Sequence, residues 1–184
     1  MKFRSLLAAL ALVCTAGANA ATVVLQPLGE LRAGQSFDLL VRLDDPFAGM
    51  DAMEELLSFG FRLGFDNSLL SLSGFQPAQG WDDDSGWLGA GQYGASSFPG
   101  LANEGQSSFV LGTLHFMALG AGAAQVMLST DAGNLNHGLN YLWNGPMELQ
   151  AGTWPTLAPV PEPATALMLA AGLGMLAGWR RKAQ

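Results

Sequence analysis

Two stretches of the chain alternate apolar and polar residues with a period of two. In residues 36–43 (SFDLLVRL) the apolar positions of one face are Phe37, Leu39, Val41 and Leu43. In residues 58–65 (SFGFRLGF) the corresponding positions are Phe59, Phe61, Leu63 and Phe65. Because successive side chains of a strand point to opposite faces, this pattern predicts strands with one buried face.

The rest of the middle of the chain favours further short strands. Glycine, asparagine, aspartate and proline separate the strand candidates 22–25, 69–75, 107–118, 124–128, 139–143 and 147–149. Only residues 52–57 have a weak helical pattern. Strands with one apolar face need a second sheet to cover that face. We therefore predict an all-β fold, a single β-sandwich of about seven to nine strands over residues 21–150.

The N-terminus has the pattern of a secretory signal peptide. Lys2 and Arg4 precede an apolar run, and small residues follow at the positions that signal peptidase reads, Ala18 and Ala20. We expect residues 1–20 to be removed by cleavage before Ala21, so that the chain is exported.

The chain has one cysteine, Cys14, which lies within this leader. A lipoprotein with a lipidated Cys14 is the alternative reading, but Val13 is bulkier than the residue favoured before such a cysteine. Without Cys14 the exported chain has no disulfide, no zinc–thiolate site and no cysteine nucleophile.

The charges are unevenly distributed. Between the leader and the tail the chain has three arginines, Arg32, Arg42 and Arg62, and all fifteen acidic residues lie between Glu30 and Glu162. Three cations against fifteen anions leave a formal charge of −12. Such a surface repels phosphates, so no nucleic-acid partner is expected.

Residues 76–106 are glycine-rich and show little alternation, so we predict a long loop there. Trp81, Trp87 and Tyr93, with Phe98, are candidates for a surface on which a glycan ring stacks. Asp82, Asp83 and Asp84 offer oxygen ligands of the kind that Ca²⁺ prefers. The spaced acidic pattern of a calcium loop is absent, and packed aromatics with a solvated turn are favoured. No metal or cofactor is predicted.

Three stretches carry a resemblance to a known family. They are GQSFDLLVRL (34–43), FGFRLGFDNSLLSL (59–72) and FVLGTLHFMAL (109–119) followed by AQVMLS (124–129). In this order they resemble a cohesin-like domain, a β-sandwich related in fold to carbohydrate-binding modules. The resemblance implies a binding or structural module without catalytic machinery.

The residues themselves favour no enzyme. The chain contains two histidines and none of the common hydrolase, metalloprotease or nucleotide-binding motifs. We expect His115 to be a partly buried structural residue and His137 to be exposed. Nothing selects a carboxylate pair for glycoside hydrolysis from the fifteen acids. No catalytic residue is therefore predicted.

The C-terminal tail has three parts after a proline-rich linker, residues 151–160. The triplet Pro161, Glu162 and Pro163 is followed by an apolar segment, 164–179, that is expected to form a transmembrane helix, and then by Arg180, Arg181 and Lys182. Residues 161–184 resemble the PEP-CTERM sorting signal. The resemblance implies an exosortase substrate of Gram-negative bacteria that make exopolysaccharide.

Together these features predict a precursor anchored in the inner membrane, which reaches the cell surface or the medium after C-terminal processing. The expected role is structural or adhesive, in association with exopolysaccharide or a biofilm. A carbohydrate-binding module is the alternative, and a polysaccharide hydrolase is a distant one.

Overall fold

The protein is described by a computed structural model, which covers residues 21–131, 133–160 and 168. Its strands are β1 (Thr22–Leu28), β2 (Ser36–Asp44), β3 (Glu55–Phe65), β4 (Leu70–Pro77), β5 (Asp82–Asp83), β6 (Gln92–Ala102), β7 (Ser108–Ala118), β8 (Gly122–Ala123), β9 (Val126–Ser129), β10 (Gly138–Tyr141), β11 (Gly145–Met147), β12 (Ala151–Thr153) and β13 (Thr156–Leu157). A 3₁₀ turn spans Ser85–Trp87. The predicted all-β fold is confirmed. The described strands exceed the predicted number because several have only two or three residues.

The strands form two main antiparallel sheets. The smaller sheet has the order β1-β2-β7-β4, and the larger has the order β11-β10-β3-β6-β5. In the larger sheet β3 also pairs with β9, which in turn pairs with β12. A short pair, β13 with β8, closes one end.

The core lies between the inner faces of the two sheets. The alternating residues of β2 are buried, and so are Phe59 and Phe61 of β3. Rings from opposite sheets meet there: Phe61 packs on Phe75 at 5.6 Å, and Phe65 packs on Phe116 at 5.3 Å. Burial of each such side chain contributes about 1.5–3 kcal/mol. The predicted inward faces of β2 and β3 are therefore correct.

The prediction of a long loop over residues 76–106 is wrong. Strand β6 runs from Gln92 to Ala102 within this segment and pairs with β3 through most of its length. Tyr93 and Ala95 of β6 face the core, while Gly94 between them is buried under a neighbouring loop. Small residues at the outward positions hid the alternation in the sequence.

The prediction of a linker over residues 151–160 is also wrong. Ala151 in β12 and Leu157 in β13 are buried, and Leu157 is only 2% exposed. The amide of Ala33 donates to the carbonyl of Ala158 at 2.9 Å, and the amide of Ala158 donates to the carbonyl of Leu31 at 2.8 Å. Pro155 is tolerated because its carbonyl accepts from Ala124 and no ladder donor is needed there. The folded domain therefore extends to Ala158.

The weak helical pattern over residues 52–57 does not form a helix. A turn holds residues 52 and 53, and β3 begins at Glu55. Leu56 is fully buried in this strand. Its packing in the sheet overrides the local preference.

Residues 151–158 are expected to be required for full stability. A fragment of residues 21–150 should unfold with a free energy at least about 3 kcal/mol lower than a fragment of residues 21–158, because it loses a buried leucine and its backbone pairing. Urea denaturation followed by circular dichroism measures this difference. Equal stability of the two fragments would show that β12 and β13 are dispensable.

Candidate functional site

Three glycines form a row on the outer face of the larger sheet. Gly138 of β10 pairs with Gly60 of β3, and Gly60 pairs with Gly94 of β6. A Cβ atom at Gly60 would overlap the backbone oxygen of Asn136, and one at Gly94 would lie 3.1 Å from Cδ1 of Leu88. The missing side chains therefore allow two loops to lie directly on the sheet.

The two loops border a cleft of ≈ 230 Å³. One loop contributes Asp84, Trp87 and Leu88, the other contributes Asn136, and Ser58 and Gly94 form part of the floor. Trp87 is 89% exposed. We refer to this feature as the Trp87 cleft.

The backbone on either side of Trp87 is held in place. The amide of Asp84 donates to the carbonyl of Gly94 at 3.0 Å, and the amide of Trp87 donates to the carbonyl of Asp84 at 2.9 Å. The hydroxyl of Ser85 lies 3.3 Å from both the amide and the carbonyl of Gly94. The indole ring is therefore displayed to solvent from a fixed turn.

Beside the glycine row runs a row of polar residues. Asn140, Ser58, Ser96 and Asp82 are opposite one another on β10, β3, β6 and β5. Their neighbours Leu139, Phe59 and Ala95 face the core, so the polar row faces outward. The side-chain amide of Asn140 donates to the hydroxyl of Ser58 at 3.0 Å. At about 4.8 Å between strands, the row is about 14 Å long.

Of the three aromatic residues expected to stack on a glycan, only Trp87 is open to solvent. Trp81 is buried and packs edge to face on Phe59 at 4.9 Å. Tyr93 is partly buried and packs on Phe61 and Phe75. These two rings pack in the core because Trp81, just before β5, and Tyr93, in β6, are at positions whose side chains face inward. Phe98 is 97% exposed but is not among the residues that line the cleft.

The three consecutive aspartates are divided between two elements. Asp82 and Asp83 form β5, and Asp84 begins the turn that carries Trp87. Among the residues that the structure describes, no group of three histidine, cysteine, aspartate or glutamate side chains is arranged to hold a metal ion.

His137 is buried, and the expectation that it is exposed is wrong. The amide of Asp131 donates to its Nδ1 at 3.1 Å, so its proton is on Nε2, which lies 3.0 Å from Oε1 of Gln92. Burial lowers the pKa of His137; the charge of Asp131 opposes this effect and that of Arg62 adds to it. The neutral ring fastens the loop that carries Asn136.

Sequence reasoning missed Glu54, a fully buried acid. Its carboxylate accepts from the amides of Trp143 at 2.9 Å and Asn144 at 3.1 Å, which ties the β10–β11 turn to the start of β3. Burial raises the pKa of Glu54, but the hydrogen bonds from Trp143, Glu55 and Asn144 outweigh it and leave the pKa below its ordinary value. No local pattern marks this residue, because its partners lie about ninety positions away.

The predicted processing sites lie mostly outside the described residues. These are Ala18 and Ala20 of the signal-peptidase site, and Pro161, Glu162, Pro163, Arg180, Arg181 and Lys182 of the sorting signal. Ala21, the expected first residue after cleavage, packs against the core. No helix within the described part of the chain is long and apolar enough to cross a membrane, and the segment 164–179 is described only at residue 168.

Residues 159–182 match the family model of the PEP-CTERM protein-sorting motif. The match implies a membrane-anchored precursor that an exosortase processes for export. The resemblance of the tail to this signal is thus confirmed. A comparison with curated proteins finds no match.

Solved structures that resemble the chain are cohesin modules. One is the cohesin module of a family 33 glycoside hydrolase from Clostridium perfringens, with 11% identity, a TM-score of 0.49, and coverage of 76% of this chain and 98% of that chain. Another is the seventh ScaB type I cohesin from Pseudobacteroides cellulosolvens, with 12% identity, a TM-score of 0.45, and coverage of 78% and 95%.

Gly60→Ala is expected to lower the free energy of unfolding by about 2 kcal/mol, because the new methyl group displaces the backbone at Asn136. The matched control on the same strand is Gly64→Ala, where a Cβ atom meets nothing within 4 Å and the change should stay within about 0.5 kcal/mol. Chemical denaturation measures both. Similar losses for the two variants would contradict the close approach at Gly60.

The pH dependence of stability should report the buried His137. Its pKa is lowered on folding, so its contribution to stability is complete above the unfolded pKa of about 6.5 and is lost as the pH falls through the folded value. The free energy of unfolding should therefore fall below about pH 6.5, and more gently in His137→Gln. An NMR titration that places the imidazole pKa above its ordinary value would contradict this prediction.

Proposed function

We propose that the protein is an exported, exosortase-sorted module with a structural or adhesive role in an extracellular polysaccharide matrix. The observation that carries the proposal is the sorting motif at residues 159–182, which follows directly on the last paired residue of the domain, Ala158. A chain with this motif is a substrate for processing, and the β-sandwich is the part that reaches the surface or the medium.

The position of the motif fits processing of a folded domain. Between Ala158 and Pro161 lie two residues, so the processed triplet is within about 10 Å of the domain along the chain. Pro159, Pro161 and Pro163 are residues of a type that disfavours helix and strand pairing. Cleavage at the triplet leaves every core residue of the described domain in place.

The apolar segment suits a temporary anchor. If residues 164–179 form a helix, it would span about 24 Å, against about 30 Å for the hydrocarbon core of a bilayer. Arg180, Arg181 and Lys182 would remain on the cytoplasmic side, which places the domain on the other side of the inner membrane. Processing then frees it for the surface or the medium.

A non-catalytic role is supported by how the buried polar groups are used. Glu54 accepts hydrogen bonds from the β10–β11 turn, and His137 holds the loop over Gly60. These buried ionisable side chains stabilise the fold by holding a turn and a loop in place. A carbohydrate-binding module is the second candidate function, favoured by the exposed ring of Trp87 beside polar groups.

Replacement of Pro161, Glu162 and Pro163 by alanine is expected to leave folding and export intact and to trap the protein in the inner membrane. The physical reason is that the membrane segment stays attached when the processing enzyme loses its recognition triplet. Cell fractionation with mass spectrometry of the C-terminus measures the result. Glu104→Ala, a change of an exposed acid in the β6–β7 turn, is the control and should be processed normally.

The wild-type protein recovered from the surface or the medium should end near Glu162. Recovery of an intact C-terminus through Gln184 would overturn the proposal. So would normal release of the triple-alanine variant.

A further inference from the structure

We propose that the Trp87 cleft binds a pyranose unit of an uncharged polysaccharide, with the sugar ring stacked on the indole of Trp87. The inference deepens the proposed role in a polysaccharide matrix and rests on it. It names the ligand class and the residues that contact it.

Trp87 is exposed on a turn whose backbone is fixed by hydrogen bonds. Its indole is 89% exposed, although Trp81 in the same segment is buried in the core. The hydrogen bonds of Asp84, Ser85 and Trp87 fix the turn before any ligand arrives. The backbone of the turn therefore needs no ordering when a ligand binds, which favours Trp87 as a contact residue.

Polar residues surround the ring of Trp87. A pyranose has an apolar C–H face and an edge of hydroxyl groups, which both donate and accept hydrogen bonds. The residues that line the cleft include Asp84, Asn136 and Ser58, whose side chains carry a carboxylate, an amide and a hydroxyl. Within the described part of the chain, the side chains of Asp84, Trp87 and Asn136 make no hydrogen bond to another residue. They are thus available to a ligand.

The outer face of the sheet beside the cleft carries a long row of polar residues. The polar row Asn140, Ser58, Ser96 and Asp82 continues from the cleft across four strands of the outer face. A row about 14 Å long suits an extended chain better than a single small molecule. A polymer that stacks one unit on Trp87 would lay its next units along this row.

The negative charge at the Trp87 cleft favours a neutral polymer. Asp84 lines the cleft, Asp82 and Asp83 directly precede it in the chain, and the residues that line the cleft include no cation. Arg62, on the same strand as Ser58, is paired with Asp131 at 3.6 Å. A uronate or sulfate group would meet like charge with no compensating cation, which disfavours anionic polysaccharides.

The experiment measures binding of soluble polysaccharides to the full-length chain, purified in a detergent without a sugar headgroup. The probes are a neutral glucan, a galactomannan and a xyloglucan, with polygalacturonate and alginate as anionic comparisons. Isothermal titration calorimetry should show binding to at least one neutral polymer. Trp87→Ala should weaken that binding about tenfold, as truncation of a central aromatic contact does.

The matched control is Phe98→Ala, which removes an equally exposed ring that does not line the cleft. It should bind as the wild type does. In a ¹H–¹⁵N spectrum the ligand should shift the indole signal of Trp87 and leave those of Trp143 and Trp154, two other exposed tryptophans, in place.

Three results would overturn the inference: no binding to any of the neutral polymers, equal binding by Trp87→Ala and the wild type, or a preference for the anionic polymers. Binding of a protein or of a second copy at this cleft, with no polysaccharide bound, would do the same. If binding fails while the C-terminus is processed normally, the inference fails and the proposed sorting survives. If binding is seen but the tail remains intact, the proposed sorting fails and the inference of polysaccharide binding survives.

Discussion

The larger sheet depends on β3, which is paired along both edges. Phe59, Phe61 and Leu63 point from β3 into the core, and Gly60 between them points outward beneath the loop of Asn136. Because side chains alternate along a strand, β3 has two roles. The residues on one face pack in the core of the sandwich, and Gly60 on the other face leaves room for the loop of Asn136. A shift of register by one residue would exchange the two faces and destroy both the core and the Trp87 cleft. Three partner strands on β3, namely β6, β9 and β10, make such a shift costly.

The parts of the fold that sequence predicts are those in which the pattern is local. The inward residues of β2 and β3 follow from period two alone, because each large apolar side chain marks its own face. Strands β6, β12 and β13 escaped prediction because glycine, serine and proline dilute that signal. They are strands because partners distant in sequence supply their hydrogen bonds. Tertiary pairing here decides a conformation that local propensity leaves open.

The same distinction separates the site residues that sequence could find from those it could not. The glycine-rich sequence does not distinguish Trp81, Trp87 and Tyr93. In the structure, the ring of Trp87 is exposed and the other two rings pack on phenylalanines of the core. The difference arises from Gly94 and Ser85, which hold the turn of Trp87 on the outer side of the sheet. Glu54 and His137 were likewise invisible, because their hydrogen-bond partners lie 89 and 45 positions away along the chain.

Sorting is expected to be separable from folding, because the last core residue of the described part of the chain precedes the sorting motif. Leu157 is buried and its backbone pairs with Gly122 of β8, and Ala158 makes backbone hydrogen bonds with Leu31 and Ala33. Because residues 21–160 include no cysteine, the packing of this core and its hydrogen bonds must hold the exported domain together without a covalent link. A cut at the proposed site, Pro161 to Pro163, would remove the rest of the tail and its terminal cations while the described domain keeps its contacts. The part so released would be a strongly acidic sandwich that carries the Trp87 cleft on the sheet built around β3.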